Sequence, residues 1–278
     1  MAAKHEWSRR EGISLGEDEG RVEFIECDLA DIKAVKDAAD KLKGMTDRLH
    51  IVICNAGVGV SRQYKRSAQN VEWIFATNCL GHQILVTLLL PLLKETVRHT
   101  SSDARIVVTS SSMHQVCRKL DLDLLAAPTS PKPALYQGVW LYGRSKLADI
   151  LFTKELSRRL LPSEDMASRR IYANAFFPGN IVTDQWNTWE ESFGKLVGRI
   201  LKAVFSVIGQ GVQDGAATAV YLAANKDIPQ KDVRGQYFVP VAKPNPASSI
   251  ANDMKLAADL WDWVDAKATE TLGIGWQQ

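Results

Sequence analysis

The stretch from His50 to Gly57 reads HIVICNAG. Its first five residues are apolar almost throughout, the pattern of a strand covered on both faces, as in a parallel sheet. Outward from it, short β-rich runs alternate with longer helical patterns. Upstream, Arg21–Glu26 (RVEFIE) is expected to be a strand and Asp31–Leu42 a helix, with Asp28 or Asp31 placed to cap it. Downstream, Val71–Leu93 reads as a long, buried apolar helix, Arg105–Thr109 (RIVVT) as a strand and Trp140–Leu160 as a helix. Ile171–Phe177 reads as a strand closed by Pro178-Gly179, Gly211–Ala224 as a helix and Gly235–Val241 as a last strand. Asn252–Thr271 is expected to be a final helix, with Leu256, Leu260, Trp261 and Val264 on one side. This alternation predicts an α/β fold, a doubly wound parallel sheet with right-handed crossovers. No internal repeat or linker interrupts it, Pro128–Pro133 reads as a surface loop, and residues 1–278 read as one domain.

The bulk properties agree. Apolar residues make up 46% of the 278 and charged residues 24%, which predicts a soluble protein with a real core. The net charge of +2 is too small to suggest a nucleic-acid partner, and no basic run is long enough to do so. Cys27, Cys54, Cys79 and Cys117 have no metal-ligand spacing, so buried free thiols explain them better than disulfides or zinc. No metal site is expected. The first twenty residues are polar and lack a secretory apolar stretch, and no run of about 18 apolar residues is read as a spanning helix. A cytoplasmic location is the default expectation.

Four short features follow strand ends or open a helix: Asn55-Ala56-Gly57, Ser110-Ser111-Ser112, Tyr142-Gly143-Arg144-Ser145-Lys146, and Pro178-Gly179-Asn180-Ile181-Val182-Thr183. Ligands of open α/β sheets bind beyond the carboxyl ends of the strands. Residues four apart share a helix face, so the Lys146 ammonium is expected near the Tyr142 phenol. A phenol with a pKa of about 10 is a poor base at neutral pH, and a nearby cation favours the phenolate. Such a pair is suited to moving a proton at an alcohol or ketone. Ser111 can donate a hydrogen bond to the substrate oxygen. Asn78, inside an apolar helix, needs partners and could fix a water or backbone carbonyl in a relay to Lys146. His114 is expected to line the loop after its strand and His82 to cap a buried polar contact.

Taken in order, NAG, N-x-x-G-H, SS-x-x-H, Y-x-x-x-K and P-G-x-V/I-x-T resemble the motifs of the short-chain dehydrogenase/reductase family. The insert before Tyr142 and the run YGRSKLADILFTKELSRRL are similar to its retinol-dehydrogenase-like and WW-domain-oxidoreductase-like branch. The resemblance covers roughly Arg21 to Thr271. It implies a Rossmann-like sheet, Tyr142 as acid/base, Lys146 as the group that lowers its pKa and binds the nicotinamide ribose, Ser111 as substrate-orienting residue and Asn78 as the end of the relay. It places Asp28 and Leu29 beside the adenine, Asn55, Ala56 and Gly57 along the cofactor cleft, and Ile181 and Thr183 at the carboxamide. The implied cofactor is NADP or NAD, with NADP slightly favoured.

The chain departs from this pattern at its front. The family opens with a strand and T-G-x-x-x-G-x-G, whose backbone N–H groups approach the pyrophosphate at a helix N-terminus. Gly12, Gly16 and Gly20 do not match it, and Gly57-Val58-Gly59 follows the wrong strand. The fold therefore reads as an N-terminally truncated member, either because the start is misplaced or because the protein is truly shortened. In the family's strand order Arg21–Glu26 and His50–Cys54 are not neighbours without the two missing strands, so an apolar edge would be left unpaired.

The leading functional expectation is oxidoreduction between a secondary alcohol and a ketone on a moderately large apolar small molecule, in a biosynthetic setting. The alternatives are a redox-inactive isomerase, lyase or cyclase using the same pocket, and a non-catalytic relative. Phe193, Leu196, Val197, Ile200, Leu201, Val204, Phe205 and Ile208 fall at helical spacing opposite Lys195, Arg199 and Lys202. This basic amphipathic helix is expected to be a lid over an apolar substrate, with Trp186 and Trp189 beside it, or to touch a membrane surface through residues 193–208. By analogy with the family, Val71–Leu93 and Trp140–Leu160 could form a homodimer interface.

Overall fold

The computed structural model describes residues 22–61, 63–162, 164–179 and 212–277. Strands β1 (Ile51–Cys54), β2 (Ala104–Thr109), β3 (Ile171–Phe176) and β4 (Tyr237–Val239) lie side by side in chain order, all parallel. A short β5 (Lys243–Pro244) turns back antiparallel to β4. Parallel neighbours cannot be joined by a tight turn, so each pair needs a crossover, usually a helix. Helix α1 (Ile32–Met45) precedes β1, α2 (Trp73–Thr100) joins β1 to β2, and α3 (Ala134–Leu160) joins β2 to β3. Helix α4 (Val212–Ala224) precedes β4, and α5 (Met254–Leu272) follows β5.

The period of two along the strands divides the core. Ile106 and Val108 of β2 and Ala173 and Ala175 of β3 pack into the larger cluster with the apolar sides of α1, α2, α3 and α5. Their neighbours Val107, Tyr172 and Phe176 face the other way, against Leu222 and Ala223 of α4. Both faces of the central strands are thus covered, which is why RIVVT and IYANAF are apolar without alternation.

β1 is different. Val52 and Cys54 join the larger core, whereas Ile51 and Ile53 are 41% and 47% exposed. The strand expected at Arg21–Glu26 does not form: residues 22–27 lie outside any ladder, with Val22 and Phe24 exposed. A strand is defined by its partner, and among the described residues β1 has a partner only in β2. The unpaired apolar edge foreseen from the sequence is therefore present among the described residues.

Asp31 caps α1, accepting from the Lys33 amide at 3.0 Å, while Asp28 closes the preceding turn on the Ala30 amide at 2.9 Å. By length and composition α2 could cross a membrane, contrary to the sequence reading. Of its most apolar window 78% is buried inside the protein, so core packing accounts for that character.

Candidate active site

The site forms where β1 and β2 end and α3 passes over them. Ser110, directly after β2, donates its hydroxyl to the Lys146 carbonyl at 2.7 Å and its amide to the Phe176 carbonyl at 2.7 Å. It thus ties β2, β3 and α3 together under the pair of interest. Ser111 starts the next turn, its Oγ accepting from the Met113 amide at 3.2 Å. That role leaves the hydroxyl hydrogen for another acceptor. The turn presses on α3 at Gly143: a Cβ there would stand 2.7 Å from the Met113 carbonyl oxygen. Glycine is required by this close approach, which seats the Ser112–Val116 turn against α3 at the residue next to Tyr142. Gly143→Ala is expected to force the turn off the helix and to cost about 1–3 kcal/mol, as overpacking does. A urea midpoint equal to that of the unaltered protein would refute the expectation.

Tyr142 is half-buried and Lys146 almost fully buried, one helical turn later. The Lys146 ammonium lies 5.9 Å from the Tyr142 ring centre. It donates to the Thr109 carbonyl at 2.8 Å and to Asp149 Oδ2 at 2.9 Å. Burial works against its charge, yet the neighbouring Asp149 and Tyr142 charges hold it above the ordinary lysine value. Thr109 also donates from Oγ1 to Asn55 Oδ1 at 2.9 Å, so the ends of β1 and β2 are laced together beneath the ammonium.

Asn78 is fully buried in a π-helical turn, Ala76–Leu80, inside α2. Such turns interrupt the regular backbone bonding and recur at functional sites. Three of its four hydrogen-bonding positions are filled: Oδ1 accepts from the Val58 amide at 2.7 Å, and Nδ2 donates to the Val58 carbonyl and to Ser145 Oγ, each at 3.0 Å. Asn78 thus clamps the Asn55–Gly57 segment's continuation to α3 and fixes a backbone carbonyl, that of Val58.

His82 is buried one turn beyond Asn78, and burial, then the Lys146 charge, push its pKa down to about 4 from 6.5. A histidine with a depressed folded-state pKa stabilises the fold fully above its unfolded value, and that contribution is lost as pH falls toward the folded value. The wild-type protein is therefore expected to lose up to about 3 kcal/mol between pH 6.5 and 4 through this group. His82→Gln should flatten that part of the stability–pH curve, read from urea midpoints; an unchanged slope would show that other groups dominate. Both ring nitrogens of His114 are engaged within the protein. Its Nδ1 donates to the Ser111 carbonyl at 2.7 Å and its Nε2 accepts from the Ser248 amide at 3.2 Å, pinning the serine turn to the C-terminal segment.

Several groups at the site carry no motif. Glu72, buried, accepts from the Ile74 and Phe75 amides at the start of α2 and from Arg144 at 3.1 Å. Arg144 is itself fully buried, donating to the Leu124 carbonyl at 2.9 Å and stacking 4.7 Å from the Trp140 ring centre. Asp149 is the other unannounced group. A lone charged residue on an apolar helix face was the only signal for either. Asp28, exposed, and Leu29, half-buried, lie in the turn before α1. Ile181, Thr183, Trp186, Trp189 and the helix over 193–208 lie outside the described residues.

The mouth of the site fits the sugar-and-nicotinamide end of a dinucleotide. Asn55 and Ala56 are exposed, and a Cβ on Gly57 would come within 3.1 Å of Asn78 Oδ1 and 3.8 Å of Lys146 Nζ. The missing side chain keeps that hollow open. An ammonium has three donors, and Lys146 spends two on Thr109 and Asp149. Among the described residues no glycine-rich turn runs directly from a strand into a helix, so none of them offers a pyrophosphate cradle of that type.

Comparison with known proteins bears on this arrangement. The model of a family described as short chain dehydrogenase matches residues 6–119. The short-chain dehydrogenase TIC 32 A, chloroplastic, of Brassica napus is 33% identical over 254 residues, covering 91% of this chain and 73% of the relative. The WW domain-containing oxidoreductase of Gallus gallus is 32% identical over 261 residues, covering 91% of this chain and 57% of the relative. The chain thus spans a little over half the length of that relative. Among solved structures, an uncharacterized protein from Mycobacterium paratuberculosis is similar over 90% of this chain and 76% of its own, with a TM-score of 0.63 and 26% identity.

Proposed function

We propose that this chain, which belongs to the short-chain dehydrogenase/reductase family of oxidoreductases, interconverts a secondary alcohol and a ketone on a moderately large apolar molecule with NADP(H) or NAD(H). The observation that carries the reading is the Lys146 ammonium held 5.9 Å from the Tyr142 ring centre, beside the Ser111 turn that Gly143 admits. Tyr142 also borders an apolar cluster that includes Val58, Trp73, Leu124 and Trp140, which suits a hydrophobic substrate.

When bound, the dinucleotide supplies or accepts the hydride. Its nicotinamide ribose would be held by Lys146 and Tyr142, along Asn55, Ala56 and Gly57. The rest falls to this chain. Ser111 donates a hydrogen bond to the carbonyl oxygen and holds it in place. In reduction Tyr142 gives its phenolic proton to that oxygen, and in oxidation it takes the proton back. The ammonium of Lys146 stabilises the phenolate left behind.

The test is a titration of the pure protein with NADPH and with NADH, followed by absorbance assays over a panel of hydrophobic ketones. Micromolar binding of one dinucleotide and turnover of at least one ketone are expected. Turnover of an isomerisable substrate with no dinucleotide bound would instead establish a redox-free reaction in the same pocket.

A further inference from the structure

Asp149 is fully buried, one turn beyond Lys146 on α3. Its Oδ2 receives the lysine ammonium at 2.9 Å, while Oδ1 has no hydrogen-bond partner. Among the described residues, few groups face the Lys146–Asp149 pair. The Cys79 thiol from α2 and the Cys54 thiol from β1 face Asp149, while Tyr142 of α3, the neutral His82 of α2 and the Thr109 carbonyl at the end of β2 face Lys146. Both thiols are buried and held protonated, Cys54 with its pKa pushed up to about 12 by burial and then by Asp149. Among the described residues, Lys146 is therefore the one cation in this cluster and Asp149 the one carboxylate that offsets it.

We propose that Asp149 is a positioning residue for the Tyr142–Lys146 pair: it grips the ammonium against the end of β2 and sets the net charge presented to the active site. This deepens the reading above and rests on it for the identity of the reaction. With the carboxylate ionised, the Lys146–Asp149 pair is net neutral; with the carboxyl protonated, the same pair carries one positive charge. Burial pushes the Asp149 carboxyl up to about 7, against the pull of Lys146, so the change of charge falls in the neutral range. The proton comes from solvent as pH falls and returns to it as pH rises. The Cys79 thiol, hydrogen-bonded to the carboxyl, pulls the same way as Lys146, so burial acts against both.

Asp149→Asn keeps an acceptor for Lys146 and removes the ionisation. The wild-type log(kcat/KM)–pH profile is expected to contain a step near pH 7, with a change of about tenfold across it, in line with the shift of about one unit or more that a neighbouring charge imposes. In the Asn variant that step should vanish. A merely structural Asp149 would change the height of the profile and leave its shape. A folded Asn variant whose profile superimposes on the wild type overturns the proposal.

A second measurement needs neither turnover nor the variant. Wild-type protein labelled with ¹³C at its aspartate carboxyl carbons and lysine ε-carbons is titrated from about pH 5 to 9, with residues 146 and 149 assigned through bonds. The Asp149 carboxyl should titrate near 7, and the Lys146 ε-carbon should move with the same midpoint. An Asp149 signal that is flat between about pH 6 and 8 overturns the proposal, whatever the assays show. If Asp149 titrates and no ketone is turned over, the charge switch stands and the oxidoreductase reading fails instead.

Discussion

Tyr142→Phe is expected to lower kcat for ketone reduction by about 10²–10⁴-fold, the range that a positioned general acid contributes. The side chain is half-buried and its ring packs beside Trp140 and Leu141, contacts that phenylalanine keeps. Its backbone carbonyl, which accepts from Ser145 Oγ at 2.8 Å, is untouched. Stability should therefore change little, and the loss should appear in kcat for the ketone rather than in its KM. Stopped-flow single-turnover rates together with a urea melt check both halves. A variant retaining more than about a tenth of wild-type kcat would remove Tyr142 from the chemistry.

The largest stability effect is expected at the Glu72–Arg144 pair. Both side chains are almost completely out of solvent, 1% and 0% exposed, with the guanidinium 3.1 Å from the carboxylate. Removing one partner strands the other charge in the interior, which costs about 3–5 kcal/mol. Arg144→Met should reach that range. Glu72→Ala should match or exceed it, because Glu72 also caps the Ile74 and Phe75 amides at the start of α2. The double variant Glu72→Gln, Arg144→Met should recover much of the loss, since neither charge then lies buried alone. Denaturation midpoints of Glu72→Gln, Arg144→Met and their double variant decide it; additive losses would show that the two groups act independently. The pair joins the first turn of α2 to the helix that carries Tyr142, so activity in Arg144→Met should fall further than the unfolded fraction explains.

Much of this protein is legible along the chain. Fully apolar strands need cover on both faces, so HIVIC, RIVVT and IYANAF announce a parallel sheet before any pairing is known. The i, i+4 spacing of Tyr142 and Lys146 puts the two on one side of a helix by geometry alone. The motifs at Asn55–Gly57 and Ser110–Ser112 fall together because parallel strands present their carboxyl ends at one edge. Gly143 and Ser110 were present in the motifs, but their tasks, a close approach and a tie to a helix carbonyl, depend on distances that no spacing encodes.

RVEFIE shows the limit of local pattern. Its alternation suits a strand, yet residues 22–27 join no ladder, because strandness requires a partner's backbone. Asn78 shows another. An amide in an apolar helix must find partners, and that much was foreseeable; that they are Val58 and Ser145 is a fact about how α2 and α3 meet.

The sequence by itself determined the central strands, their helical covering, and the shared helix face of Tyr142 and Lys146. These follow from periodicity and from neighbours within a few residues, where covalent geometry fixes what can meet. Only the tertiary structure decided the charge environment. Glu72 meets Arg144 across 72 positions, and Asp149 takes hold of Lys146 within a closed pocket formed by β1, β2 and α2. Burial is what turns those ordinary surface-type residues into strong electrostatic actors, and burial is a property of the packed fold.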